Sequence, residues 1–149
     1  MEASPAVNSH QPGAARLKLT RTLWEEMRLH VTSLAPEEAC GLIAGIVEQA
    51  RLVLPITNEL HSAVRYSMAP DELLRAFIQI DELGLELVAI YHSHPAGPAR
   101  PSPTDIGEAF YPNAVYLIWS PGTTGWTCQG FNIQEGVVQD AAIFVIENE

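Results

Sequence analysis

The chain has 149 residues, 47% of them hydrophobic, and 18 acidic against 8 basic residues give a formal charge of −10. That length suits one domain able to bury its own core, and the two isolated cysteines, Cys40 and Cys128, build no disulfide framework. The charge disfavours nucleic acid and anionic membrane as partners, since both are held by basic patches, and no apolar run approaches the roughly 20 residues that span a bilayer.

Met1 to Ala15 mix Pro, Gly, Ala, Ser and Asn without periodicity, which predicts a mobile tail ahead of a domain over residues 16–149. The tail has no positive segment followed by an apolar stretch, so no signal peptide is expected and a reduced, cytoplasmic setting is. Leu17 to Thr20 start a strand, and Leu23, Met27, Val31 and Leu34 then recur at helical spacing until Pro36. Glu38 to Val47 reads as a strand whose Gly41 and Gly45 face away from Glu38, Cys40 and Leu42 and leave room for a close neighbour. Arg51 to Thr57 pair beside it.

After Pro70, the acidic first turn Asp71-Glu72 precedes Leu73, Leu74, Phe77, Ile78 and Ile80, a wide stripe that predicts a helix packed deeply on a sheet and ended by Gly84. Leu85 to Tyr91 is almost continuously apolar, the pattern of a central strand covered on both faces, and His92 to His94 complete its carboxyl end. Pro95, Pro98 and Pro101 stiffen the following loop. Ser102-Pro103-Thr104-Asp105 then reads as the start of a short helix reaching about Phe110, with proline at its first position. Ala114 to Trp119, Gly125 to Ile133 and Val137 to Ile146 close the chain as three strands, separated by Pro121-Gly122 and Gly136.

Alternate residues of a strand share a face, so His92 and His94 can address one ion while Ser93 points away. Two imidazoles and one carboxylate supply three ligands to a tetrahedral zinc and leave the fourth position to water, the open arrangement of a catalytic site. A His-x-His pair alone also describes histidines that merely pack. Ser102-x-x-Asp105 has its own structural reading as a capping box. Both roles are compatible if one Asp105 oxygen takes the Ser102 N–H and the other faces the metal, and the Ser102 hydroxyl can cap the helix yet donate to a developing oxyanion. Glu38 and Glu37 both offer a carboxylate near the start of a strand. His30 and His61 lack partners at comparable spacing and read as ordinary core or surface histidines; Arg100 reads as a solvated loop residue before it reads as a contact for a substrate carboxylate, and Cys40 as a small buried residue.

Glu38-Ala-Cys-Gly, His92-Ser-His94-Pro, seven intervening residues and Ser102-Pro-Thr-Asp105 together resemble the JAMM, or MPN-plus, zinc metalloprotease family, from about Leu17 to Ile146. The resemblance selects Glu38 over Glu37. It implies an α/β fold, a single-domain twisted mixed β-sheet flanked by helices of the JAMM/MPN, cytidine-deaminase-like type. It further implies zinc held by His92, His94 and Asp105, Glu38 as general acid/base and Ser102 as oxyanion-stabilising residue. The implied reaction is cleavage of a peptide or isopeptide bond after the tail of a ubiquitin-like or sulfur-carrier protein. The chain lacks the long insertions and second zinc site of elaborate eukaryotic members and is similar to the minimal prokaryotic branch.

Three other readings share parts of this pattern. A catalytically silent scaffold of the same fold lacks a ligand, whereas every motif position is filled here. A non-haem iron oxygenase uses the same two-His, one-carboxylate set and is separated by metal analysis and oxygen dependence. A zinc deaminase requires a Cys-x-x-Cys, which is missing from this sequence.

Overall fold

A computed structural model describes residues 16–148, so the tail expected over Met1 to Ala15 lies outside the described residues. The elements run β1 (Arg16–Thr20), α1 (Arg21–Leu34), β2 (Cys40–Ile46), β3 (Gln49–Ile56), α2 (Pro70–Glu82), β4 (Glu86–Ser93), α3 (Pro103–Gly107), β5 (Val115–Gly122), β6 (Gly125–Gln134) and β7 (Val137–Ile146). Each expected element is present, with boundaries moved by a few residues.

The strands are ordered β3, β2, β4, β5, β6, β7, β1, and β1 returns to meet β3 at the single parallel pair Lys18 and Gln49, so the sheet closes on itself. β1 runs parallel to β7 and β4 parallel to β5, while β2–β3, β2–β4, β5–β6 and β6–β7 are antiparallel. The sheet is therefore mixed, as expected; its closure is a further feature. Strand β4 lies between β2 and β5, which explains why its sequence lacks a polar alternation.

Alternate residues feed two separate cores. Met27 and Val31 of α1 pack with Leu17, Ile43, Ala89, Tyr91, Leu117 and Trp119 on one face, and the Trp119 Nε1–H donates to Met27 Sδ at 3.2 Å. Ala76 and Ile80 of α2 pack with Cys40, Leu42, Ile90, Tyr116, Ile118 and Phe131 on the other. Gly41 belongs to the first face. A methyl group there would overlap the ring of Tyr91, whose hydroxyl is pinned to His30 Nδ1 at 2.7 Å, so the expected close neighbour is this ring.

Helix α2 departs from expectation. Its stripe is not deeply packed: Leu74 is 63% and Ile78 48% exposed, and only Ala76 and Ile80 are buried. The apolar face is wider than the strip of sheet it covers.

Candidate metal centre

His92 and His94 extend from β4 toward the α2 side of the sheet, in step with Ile90, and both side chains are buried. The antiparallel register pairs Cys40 with His92, and carrying it two residues further sets Glu38 across from His94. Ser93, pointing the other way as its spacing predicts, fastens this junction. Its Oγ accepts the Ala39 N–H at 2.8 Å and its own N–H donates to Ala39 O at 3.0 Å.

Asp105 arrives from α3. Ser102 Oγ accepts the Asp105 N–H at 3.0 Å and the Ser102 N–H donates to Asp105 Oδ2 at 2.8 Å, completing the capping box with Pro103 at the first helical position. That same Oδ2 lies 3.2 Å from His92 Nε2 and 3.1 Å from His94 Nε2, and the two imidazole nitrogens are 3.0 Å apart. The expected division of labour between the two Asp105 oxygens is thus corrected: one oxygen serves both cap and cluster. A single carboxylate oxygen has lone pairs enough for both.

This triangle suits a small divalent ion. Zinc at about 2.0–2.1 Å from each of three tetrahedral donors sets those donors about 3.3 Å apart, within a few tenths of an ångström of the triangle found. The protonation pattern agrees. His94 Nδ1 sits 2.8 Å from the Pro98 carbonyl and donates to it, which leaves Nε2 as a lone pair aimed at Asp105 Oδ2, another lone pair. Two acceptors at 3.1 Å need a cation or a proton between them. Glu38 with the two histidines forms a looser group whose donor atoms lie within 4.8 Å of one another. The set completed by Asp105 is the one whose three donors stand at the separation tetrahedral zinc ligands require.

Electrostatics separate the carboxylates. Burial raises the Glu38 carboxyl to about 7, opposed by the charge of His94 and reinforced by that of Asp105. Burial pushes Asp105 the same way, but the close imidazoles of His92 and His94 and the hydrogen bond from the Ser102 N–H overcome it and hold Asp105 far below the usual carboxylate range. Desolvation lowers His92 despite Asp105. Desolvation also opposes the charged form of His94, yet its contacts with Asp105 and the Pro98 carbonyl, with the Glu38 charge, leave it raised overall.

A cleft of about 130 Å³ opens onto this cluster, lined by Glu38, His94, Ser102, Ala63, Val64 and Pro98 with Ala96 and Gly97. All five residues singled out from the motifs therefore meet at one place. The remaining candidates do not: His30 bonds Tyr91, His61 pairs with Glu37 at 3.3 Å on the surface, Arg100 is exposed, and Cys40 is buried with its thiol raised to about 12 by desolvation. Tyr66 was not anticipated. Its ring stacks on His92 with centroids 4.6 Å apart at 29°. It comes from a loop without periodicity, so only the aromatic residue itself was visible in sequence.

Residues 20–129 match the family described as prokaryotic homologs of the JAB domain. The chain is 43% identical over 131 residues, 87% of its length and 83% of the relative's, to a probable TtuB-protein conjugate cleaving protease of Thermus thermophilus. It is 30% identical over 134 residues, 88% of this chain and 92% of the other, to a CysO-cysteine peptidase of Mycobacterium tuberculosis. A solution structure of a protein from Desulfitobacterium hafniense shares the fold with a TM-score of 0.80 at 35% identity, covering 89% of this chain and 94% of that one.

Proposed function

The chain belongs to the prokaryotic JAB-domain family, and from that premise we propose that it is a zinc peptidase cleaving the bond after the C-terminal tail of a ubiquitin-like or sulfur-carrier protein. His92, His94 and Asp105 are the zinc ligands, Glu38 the general acid/base and Ser102 the oxyanion-stabilising residue, within a catalytic domain over residues 16–149. The observation that carries this reading is the 3.0–3.2 Å triangle of His92 Nε2, His94 Nε2 and Asp105 Oδ2 beside the buried carboxyl of Glu38.

Zinc, when bound, supplies Lewis acidity that polarises a carbonyl and acidifies water. The protein's own groups do the rest. Pro98 O fixes the tautomer of His94, and the Ser102 N–H fixes Asp105, so two of the three ligands are held in place beforehand. Glu38, with a pKa near 7, takes a proton from the attacking water onto its carboxylate and returns it to the leaving amine nitrogen as the C–N bond breaks. The Ser102 hydroxyl accepts from the Asp105 N–H and keeps its own hydrogen for the carbonyl oxygen as that oxygen gains charge. The cleft walls of Ala63, Val64, Ala96, Gly97 and Pro98 suit an extended tail of small residues. No helix among the described residues is long and apolar enough to cross a membrane. Both cysteines are free, in keeping with a cytoplasmic setting.

The test is incubation of the zinc-loaded protein with a ubiquitin-like or sulfur-carrier protein extended beyond a terminal Gly-Gly, read by mass spectrometry. Release of the extension by the wild type and its loss in Glu38→Gln, with about one zinc retained, is the expected result. Undiminished cleavage by Glu38→Gln overturns the mechanism, and an intact substrate with zinc bound overturns the substrate class.

A further inference from the structure

Asn58 stands two residues past the end of β3, is 3% exposed, and uses its whole side-chain amide. Nδ2 donates to Glu38 O and to Arg65 O, each at 3.0 Å, while Oδ1 accepts from the Leu60 and Ser67 N–H groups, each at 3.1 Å. The Oδ1 bond to Leu60 is the local kind that asparagine makes in many turns. The Nδ2 bond to Glu38 is different: it crosses 20 residues to reach the main chain of the proposed proton carrier.

Glu38 precedes β2 and lies outside its strand ladder. Its N–H donates to Ser62 O at 2.8 Å, so both polar groups of its main chain are held by residues 58–62. The same loop carries Ala63 and Val64, which line the cleft, and Tyr66, which stacks on His92. Because Asn58 binds this loop at Leu60, Arg65 and Ser67 as well as Glu38, one side chain sets the carboxylate, the cleft wall and the His92 cover in common register.

We infer that Asn58 is a positioning residue for the hydrolytic reaction, fixing the Glu38 main chain to the loop that walls the cleft. The inference rests on the reading of Glu38 as the general acid/base. Only a planar amide supplies two donors and two acceptor sites at this position: aspartate offers acceptors alone, and alanine neither.

Two variants test it in the full chain, Asn58→Asp, which keeps the acceptors for Leu60 and Ser67, and Asn58→Ala. The substrate probe is a ubiquitin-like protein extended beyond Gly-Gly. With zinc content unchanged, kcat is expected to fall about 10- to 100-fold while KM stays within about threefold, the signature of a displaced reacting group. In the metal-free protein, the Glu38 amide is expected to exchange hydrogen at least about tenfold faster in Asn58→Asp, while the Leu60 and Ser67 amides keep their protection. A merely structural role lowers Tm and leaves kcat below Tm unchanged. If Asn58→Ala fails to fold, Asn58→Asp decides. A kcat within twofold of wild type, a loss confined to KM, or an unmoved Glu38 amide overturns the inference. Normal cleavage by Glu38→Gln instead removes the functional reading on which the inference rests, and the exchange measurement separates the two failures.

Discussion

Ser93 and Ala39 hold each other by two hydrogen bonds across the end of the β2–β4 ladder: the Ala39 N–H donates to Ser93 Oγ at 2.8 Å, and the Ser93 N–H donates to Ala39 O at 3.0 Å. The middle residue of His92-Ser93-His94 thus anchors the segment that carries Glu38, while its neighbours face the candidate metal centre. Ser93→Ala leaves the fully buried Ala39 N–H without an acceptor, a loss of about 1–3 kcal/mol. For a chain of this size each kcal/mol lowers Tm by about 2–4 °C. Calorimetry is expected to show that drop together with a reduced kcat. A Tm equal to wild type means that the hydroxyl carries none of this anchoring.

The two functions of Asp105 can be separated. Its Oδ2 caps α3 through the Ser102 N–H and also faces both imidazoles. An asparagine oxygen can still accept the Ser102 N–H, but its neutral amide neutralises no cation. Asp105→Asn is therefore expected to retain a folded metal-free protein and to lose the zinc-dependent rise in Tm that a ligand specific for the native state produces. The affinity loss, read by chelator competition, exceeds the 10- to 100-fold typical of removing a group one contact away from a metal. Zinc-stabilised unfolding equal to wild type excludes Asp105 from the ligand set.

Much of the site was legible because its spacing is local. Residues two apart on a strand share a face, which placed His92 with His94 and turned Ser93 away. The Ser-x-x-Asp pattern after a proline-rich loop foretold the capping box that delivers Asp105. Glu38 needed the family resemblance, since nothing local distinguishes it from Glu37. Sequence could not show that one Asp105 oxygen would serve both cap and cluster, because both arrangements satisfy the same motif. Nor could it show that the sheet closes, since that depends on one register pair between β1 and β3, Lys18 with Gln49. Asn58 and Tyr66 lie in a loop without periodicity and act across 20 and 26 residues, so their partners are fixed only by tertiary packing. The stripe on α2 indicated which face turns inward but not how much sheet stood ready to cover it, hence the exposure of Leu74 and Ile78.

The Tyr66 ring covers His92, whose imidazole is buried among this aromatic, His94 and Asp105. Its contribution is the ring face, since no hydrogen bond from its hydroxyl is found among the described residues. Tyr66→Phe is expected to match wild type in zinc affinity and kcat. Tyr66→Ala opens one face of His92 to water and frees its orientation, which is expected to weaken zinc about 10- to 100-fold. Competition with a chelator, run on both variants, measures this. Equal affinities for Phe and Ala mean that the stack does not hold the ligand.

Glu38 ties the site to pH. Burial raises its carboxyl from 4.5 to about 7 in the folded protein, so below pH 4.5 it is protonated in both folded and unfolded chains and contributes no penalty. As pH rises from 4.5 through 7 the unfolded chain releases this proton first, and native stability falls, by a total on the order of 3 kcal/mol. His94, also raised in the folded state, adds a loss of the same sign, and the Glu38 charge supports part of it. Removing the carboxylate therefore removes both the direct penalty and that coupling. In denaturant titrations of the metal-free protein, Glu38→Gln is expected to match wild type near pH 4.5 and to gain stability relative to it by pH 8. Zinc reverses the logic, because a nearby divalent charge favours the ionised carboxylate, and the difference between the two proteins is expected to shrink once metal is added. A wild-type to Glu38→Gln difference that is flat from pH 4.5 to 8 without metal means that the carboxyl is not raised by its burial, and the proposed general acid/base role loses its physical basis.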